Sequence, residues 1–194
     1  MGRHNWRDAE RSGGFTTIEM LIVLVLISLT AAWALPKFSV ARYRADATGR
    51  LVRGLLQTAQ RNAITRQSDV IVCFDSVGAR LLVVQDLNNN GVVDAGEVAQ
   101  YRGLENGANF VQPTWTGVNG TAPTGGIIGA TLSTVSNYPA VIFRRDGSAS
   151  SNLEIYVTTR DAVRVEYRAI TVIASTGRTF MYKWNGATWL AMTQ

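Results

Sequence analysis

The chain opens with a polar stretch, MGRHNWRDAERSGG, and then changes abruptly to FTTIEMLIVLVLISLTAAWAL, which ends before Pro36. From Phe15 to Leu35 there are 21 residues, 16 of them apolar, and as a helix they rise about 30 Å, the thickness of a bilayer's hydrocarbon core. The pattern predicts one transmembrane helix over 15–35. It is longer than the apolar part of an ordinary secretory signal, and no small-residue cleavage pattern follows it. Beyond Pro36, apolar positions recur mostly in steps of four at Val40, Ala47, Leu51, Leu55, Ala59 and Ala63, with Val52 and Leu56 flanking them. Arg42, Arg50, Arg53 and Arg61 fall elsewhere on the wheel. This predicts an amphipathic stem helix over 36–66, in which Gly49 and Gly54 are weak points where it can bend.

From Asp69 the period becomes strand-like, with runs at 70–74, 81–85, 110–115, 141–144, 153–158, 163–173 and 178–184. Asn185-Gly186, between Tyr182-Lys183-Trp184 and Thr188-Trp189-Leu190, predicts a hairpin with both turn residues at positive φ. Residues 116–139, rich in Gly, Thr, Pro, Asn and Ser, read as a long loop, free to move or to meet a partner. The head is therefore β-rich over 67–194.

Composition narrows the function. With 46% apolar and 17% charged residues in 194, the chain suits one globular head and is neither disordered nor multi-spanning. One Cys and one His exclude the usual zinc ligand sets and the Cys-His and Ser-His-Asp devices. Cys73, inside the run Val70–Phe74, reads as a buried small hydrophobe, and no nucleophile motif suggests an enzyme. The net charge of +5 first suggests nucleic acid, but its location says otherwise. Residues 37–66 carry seven bases against Asp46 alone, whereas 67–194 carry nine bases and ten acids. The basicity belongs to the stem.

Glu19 is the anomaly. A carboxylate inside an apolar span costs several kcal/mol unless partnered, and no Lys, Arg or His lies between Thr16 and Pro36. Its partner is a chain terminus, another molecule or a proton; the plainer reading is a signal anchor whose Glu snorkels to the interface.

The string Gly14-Phe15-Thr16-Thr17-Ile18-Glu19-Met20-Leu21, after a leader carrying Arg3, Arg7 and Arg11, resembles the signal of type IV pilins and type II secretion pseudopilins. The resemblance implies that prepilin peptidase removes the leader 1–14 by cutting between Gly14 and Phe15, and that Phe15 is then N-methylated. It makes Glu19 the assembly residue, facing the N-terminal amine of a neighbouring subunit, and Pro36 a helix kink. The bases Lys37, Arg42 and Arg44 match the leader's, so charge bias does not fix the orientation. The resemblance does, with the N-terminus cytoplasmic and the head periplasmic.

The head is similar to the GspH/FimT family of minor pseudopilins and minor pilins. The similarity lies in Ala59-Gln60-Arg61-Asn62-Ala63, 70–74, 86–97, Phe143-Arg144-Arg145-Asp146-Gly147-Ser148, Ile170-Thr171-Val172 and Gly177-Arg178. The implied fold is α+β and pilin-like, a long N-terminal helix packed on an antiparallel β-sheet head. The implied function is that of a structural filament subunit near the tip of a type II secretion pseudopilus or type IV pilus. Its partners would be other pseudopilins or pilins, the peptidase and an inner-membrane assembly platform, and no cofactor is required. The alternative is a DNA-receptor minor pilin for uptake.

Two motifs suggest further chemistry. Asp86-Leu87-Asn88-Asn89-Asn90-Gly91-Val92-Val93-Asp94-Ala95-Gly96-Glu97 fits the twelve-residue calcium loop, with ligands at Asp86, Asn88, Asn90, the Val92 carbonyl, Asp94 and Glu97. The preceding run reads as a strand rather than a helix, and only three carboxylates are present. A polar inter-strand loop that bonds its own backbone is therefore preferred. The C-terminal segment interleaves Arg160, Arg164, Arg168, Arg178 and Lys183 with Tyr167, Phe180, Tyr182, Trp184 and Trp189, as single-strand binders do. DNA-binding members of the family carry Gly-Arg-x-Arg. Here Gly177-Arg178-Thr179-Phe180 lacks the second Arg, leaving Arg178 and Lys183 as candidates, and core aromatics alternating with solvated charges are preferred.

Overall fold

A computed structural model describes residues 15–34, 40–105, 107–132, 138–159 and 164–192. The chain divides into two compact units, 1–39 and 40–194. In the first, helix α1 spans Thr17–Ala34 and is apolar on all sides; Ile18, Leu21, Leu24, Ile27 and Leu29 are each more than half exposed. Its eighteen residues rise about 27 Å, and among the described residues no helix is long and apolar enough to cross a membrane. Gly14, Leu35 and Pro36, and with them the expected cleavage and kink, lie outside the described residues.

The second unit is α+β. Helix α2 runs Val40–Arg66, so the amphipathic segment is helical to the residue the pattern indicated. Two antiparallel sheets follow it, where one was expected. The first has the order β3-β2-β1-β7-β6, from Ala99–Gly103, Arg80–Asp86, Asp69–Asp75, Pro139–Phe143 and Thr131–Leu132. The second has the order β11-β10-β9-β8-β4, from Trp189–Ala191, Thr179–Trp184, Arg168–Val172, Leu153–Thr158 and Asn109–Phe110, with β5 (Ile127–Ile128) also on β8. A 3-10 turn at Arg164–Glu166 occupies part of what read as one strand over 163–173.

The stem does not stand apart from the head. Val52, Leu56, Ala59 and Ala63 are buried in one core with Val70, Val72 and Phe74 of β1, Phe143 of β7, Ile155 of β8 and Ile170 of β9. These four follow the three- and four-residue steps of one helix face; Ala59 and Ala63 belong to the stripe that predicted the helix, while the flanking Val52 and Leu56 are buried where Leu51 and Leu55 are half-buried. Gly49 is no hinge. A Cβ there would collide with the Met181 methyl and stand 3.3 Å from Arg168 Cβ, so the glycine lets the strands approach the helix.

Strand β1 is covered on both faces, which is why it reads as an unbroken apolar run. Alternate residues point to opposite faces. Val70, Val72 and Phe74 join the main core, while Ile71 and Cys73 join a second cluster with Leu82, Val84 and Ala140, closed by Val93, Tyr138 and Ile142. Cys73 is fully buried, as its apolar setting indicated.

Candidate functional site

The apolar helix starts with a reciprocal cap. Thr16 Oγ1 accepts the Glu19 amide at 3.3 Å, and a Glu19 carboxylate oxygen accepts the Thr16 amide at 3.4 Å. This is the capping box, written in the sequence as Thr16-x-x-Glu19, and it places the carboxylate at the positive end of the helix dipole. Glu19 therefore has hydrogen-bond partners within its own first helical turn, a role that charge pairing alone does not reveal. Phe15 beside it is 79% exposed.

The loop 86–97 is built from its own side chains. The fully buried Asp86 accepts the amides of Gly91 at 2.7 Å and Asn90 at 3.2 Å. Glu97 accepts those of Leu87 at 2.9 Å and Asp94 at 3.0 Å, pinning the two ends of the loop together. Asp94 accepts the amide groups of Asn88 and Asn90, both at 2.8 Å, and these bonds hold its carboxyl below the usual range. Asn88 and Asn90 turn their carbonyl oxygens onto the amides of Asn90 and Val92. Asn89 takes the αL conformation, φ 57°, and accepts the Asp69 amide at 2.7 Å, while Gly91 at φ 74° passes Ile142. Val93 covers the outer cluster. Asp86 and Glu97 hold backbone amides and Asp94 holds the side-chain amides of Asn88 and Asn90, and among the described residues no group of three or more acids, His or Cys is arranged to bind a metal.

The family-like motifs on α2, after β7 and before β10 converge on one node. Gln60 Nε2 donates to the Gly147 carbonyl at 2.7 Å and to the Thr176 carbonyl at 2.8 Å. Gly177, at φ 62°, backs onto the same place, where a Cβ would collide with the Gly147 oxygen and Gln60 Nε2. Asp146 caps its turn through the Ser148 hydroxyl and amide, which lowers its carboxyl's pKa. The glycine of Gly177-Arg178 thus serves packing.

The two DNA candidates are not brought together. Arg178 is exposed, with its guanidinium 5.4 Å from the Phe180 ring centroid. Lys183, also exposed, lies near the far end of β10, whereas Arg178 precedes the strand's first residue, Thr179. Arg168 departs from the solvated pattern altogether, being 3% exposed and paired with Asp46 on α2. Tyr167 and Trp184 are buried, as the core reading of the aromatics indicated.

Those aromatics anchor a feature the sequence pattern missed. Residues 111–126 leave and rejoin the edge of β8 at neighbouring positions, Phe110 opposite Val157 and Ile127 opposite Ile155, forming a closed excursion. At its neck a Cβ on Gly126 would stand 2.9 Å from Phe110 and Val111 backbone atoms. Trp115 packs on Trp184 with ring centroids 5.2 Å apart and on Tyr167 at 4.9 Å. Tyr156 OH accepts the Val118 amide at 3.1 Å and donates to Glu154; its burial raises the phenol's pKa. Trp189 Nε1 donates to the Thr116 carbonyl at 2.8 Å. The segment expected as a strand at 110–115 and a free loop from 116 is a pinned loop to 126.

Residues 48–177 match the family described as "Type II transport protein GspH". No curated protein matches the chain. Two solved structures of the minor pseudopilin EpsH from the type 2 secretion system of Vibrio cholerae are similar. One is 13% identical with a TM-score of 0.47, covering 76% of this chain and 97% of its own. The other is 14% identical with a TM-score of 0.47, covering 72% and 96%. The family match begins within α2 and ends at Gly177, enclosing the Gln60 node, the 86–97 loop and the 111–126 excursion. Taking in most of the chain, it shows that this protein belongs to the GspH family of type II transport proteins.

Proposed function

We propose that the chain is an anchored filament subunit, made as a precursor, cut between Gly14 and Phe15, N-methylated at Phe15 and held in the inner membrane by residues 15–35. The head 67–194 faces the periplasm and joins other pseudopilins near the filament tip. One observation carries the reading. Helix α1 carries apolar side chains around its whole circumference, and its single charge, Glu19, sits in the first turn. An apolar surface on every side of a helix requires lipid or like helices around it. The apolar sequence also runs one residue past α1, to Leu35, and begins at Phe15. In the single subunit Glu19 caps its own helix; on assembly it receives the amine of a neighbouring Phe15, which gives the packed helices their register. Pro36 bends the chain at the membrane's far side.

The test is made in cells that assemble the filament. Gly14→Val should leave the precursor uncut, seen as slower gel migration. Glu19→Ala should be cut normally but fail to enter filaments in cysteine crosslinking. Normal incorporation of Glu19→Ala would overturn the register role, and normal processing of Gly14→Val would overturn the cleavage site.

A further inference from the structure

We propose that the end of the head unit where α2 begins docks on the anionic phosphates of a phospholipid bilayer. This rests on α1 being the membrane anchor, because only residues 35–39 separate α1 from α2 in the sequence. It adds a second, electrostatic contact by which the unassembled subunit lies against the membrane surface.

Charge comes first. From Val40 to Arg53 the helix carries Arg42, Arg44, Arg50 and Arg53 against one acid, Asp46. That acid is committed to the buried Arg168 at 2.6 Å. Among the described residues the ion pairs are this one and Arg80–Asp75, so no carboxylate offsets Arg42 or Arg44. Both are exposed. The Cα–Cβ bonds of a helix tilt toward its N-terminus, so their long side chains reach toward the end where the helix begins.

Amphipathic surface comes second. Tyr43, between the two arginines, is 74% exposed. Tyrosine is the residue whose ring and hydroxyl suit the headgroup layer, and a short basic cluster beside a membrane segment is drawn to anionic lipid. The β10–β11 hairpin adds Lys183 and the exposed Leu190, which line an open cleft of about 300 Å³ with Arg42. Among the described residues that line that cleft Asp46 is the only acid, and it is already paired. Cations flanked by exposed apolar and aromatic side chains match a lipid surface better than an acidic protein, which would offer carboxylates but no acyl layer.

The unit 40–194, which carries its own core, can be floated with vesicles of phosphatidylcholine alone or mixed with phosphatidylglycerol. Binding is expected to the anionic vesicles only, and to fall away at about 1 M salt, where the screening length is about 3 Å. Arg42→Gln with Arg44→Gln should weaken it about 30-fold. Arg61→Gln with Arg102→Gln removes the same charge from exposed positions elsewhere and should leave binding unchanged. Equal flotation with neutral vesicles, no binding at low salt, or equal loss in both variants would overturn the proposal. So would retention on polyglutamate resin without vesicle binding, which would assign this end to an acidic protein. The fragment lacks α1, so a failure here leaves the anchoring reading standing, and a failure of the Glu19 experiment leaves the vesicle result unaltered.

Discussion

Arg168 Nε donates to an Asp46 carboxylate oxygen at 2.6 Å, joining β9 to the first turns of α2. Both terminal nitrogens of the guanidinium are also used: Nη1 reaches the carbonyls of Val165 at 3.0 Å and Tyr167 at 2.8 Å, and Nη2 that of Arg42 at 3.5 Å. The arginine side chain is 4% exposed and the aspartate's 28%. Removing the acid leaves a buried cation with no counter-charge, a change that costs about 2–4 kcal/mol. Asp46→Ala should lower the stability of the 40–194 unit by that amount in denaturant titration, and Asp46→Asn by less because an acceptor remains. A loss below about 0.5 kcal/mol for Asp46→Ala would show that water replaces the carboxylate at no cost.

Two glycines of the same helix make opposite predictions. Gly54 has nothing within 4 Å of a built Cβ, so Gly54→Ala should stabilise by about 0.5–1 kcal/mol through helix propensity. At Gly49 the same gain is set against a collision with the Met181 methyl, in a core where Met181 is 2% exposed. Gly49→Ala should therefore fall short of Gly54→Ala by about 1 kcal/mol, and Gly49→Leu should destabilise by about 1–3 kcal/mol. Equal melting temperatures for the two alanine variants would mean that the helix and β10 are not packed this closely.

What could be seen from the sequence was whatever local periodicity encodes. The α2 stripe, β1 as a buried run and the β10–β11 hairpin follow from spacing alone. In the hairpin Asn185 uses its side chain rather than positive φ, accepting the Ala187 and Thr188 amides, and only Gly186 takes φ 104°. Strand β3 gave no signal because all five of its residues are exposed, leaving no apolar alternation. The 111–126 excursion imitated a strand because Phe110 and Trp115 are aromatic, yet its shape is set by Tyr156, Trp184 and Trp189, far away in sequence. Arg168 read as a solvated charge because its partner lies 122 residues earlier. The site motifs were legible as strings, and their convergence on Gln60 required the fold.

The Gln60 node separates a packing role from a binding role for Gly177-Arg178. Gly177→Ala combines positive φ with a backbone collision at the Gly147 carbonyl, and should cost about 3 kcal/mol or more. Gln60→Ala gives up one bond to the part-buried Gly147 carbonyl and one to the exposed Thr176 carbonyl, and should cost about 1–2 kcal/mol. Arg178→Gln, at an exposed position, should stay within about 0.5 kcal/mol of the parent. Gel shifts with single- and double-stranded DNA should show no difference between the parent and Arg178→Gln with Lys183→Gln. Salt-sensitive binding lost in that double variant would revive the uptake reading.

Acid should loosen the head before it affects anything else. Asp75 accepts the Gly78 amide at 2.7 Å and the Arg80 Nε at 2.8 Å, and these, the amide first, hold its carboxyl below the ordinary 3.8. Arg80 in turn lies over the Tyr101 ring at 4.8 Å, coupling the β1–β2 turn to β3. Asp94 and Asp146 are lowered in the same direction by their own caps. A carboxyl whose folded pKa is lowered favours the fold while ionised. The contribution is complete above 3.8 and is lost as pH falls below that value through the folded pKa. Denaturation midpoints should be flat from about pH 7 to 5 and decline toward pH 2, with a shallower decline in Asp75→Asn. A parallel decline in that variant would remove Asp75 from the account.

The 86–97 loop offers the last decision, between self-capping and calcium. Asp86 is fully buried and receives two amides, so Asp86→Ala strands both donors and should cost about 2–3 kcal/mol with or without calcium. For a cation to enter, Glu97 must release the Leu87 and Asp94 amides and Asp94 must release Asn88 and Asn90. Those bonds compete with the metal, and three carboxylates are few for a tight site. Millimolar calcium should therefore leave the melting temperature of the 40–194 unit where a chelator leaves it. Binding to the folded state would instead raise stability with the logarithm of calcium concentration. A calcium-dependent rise that disappears in Glu97→Gln, which keeps a side-chain oxygen able to accept a loop amide, would show that the loop exchanges its amides for a metal.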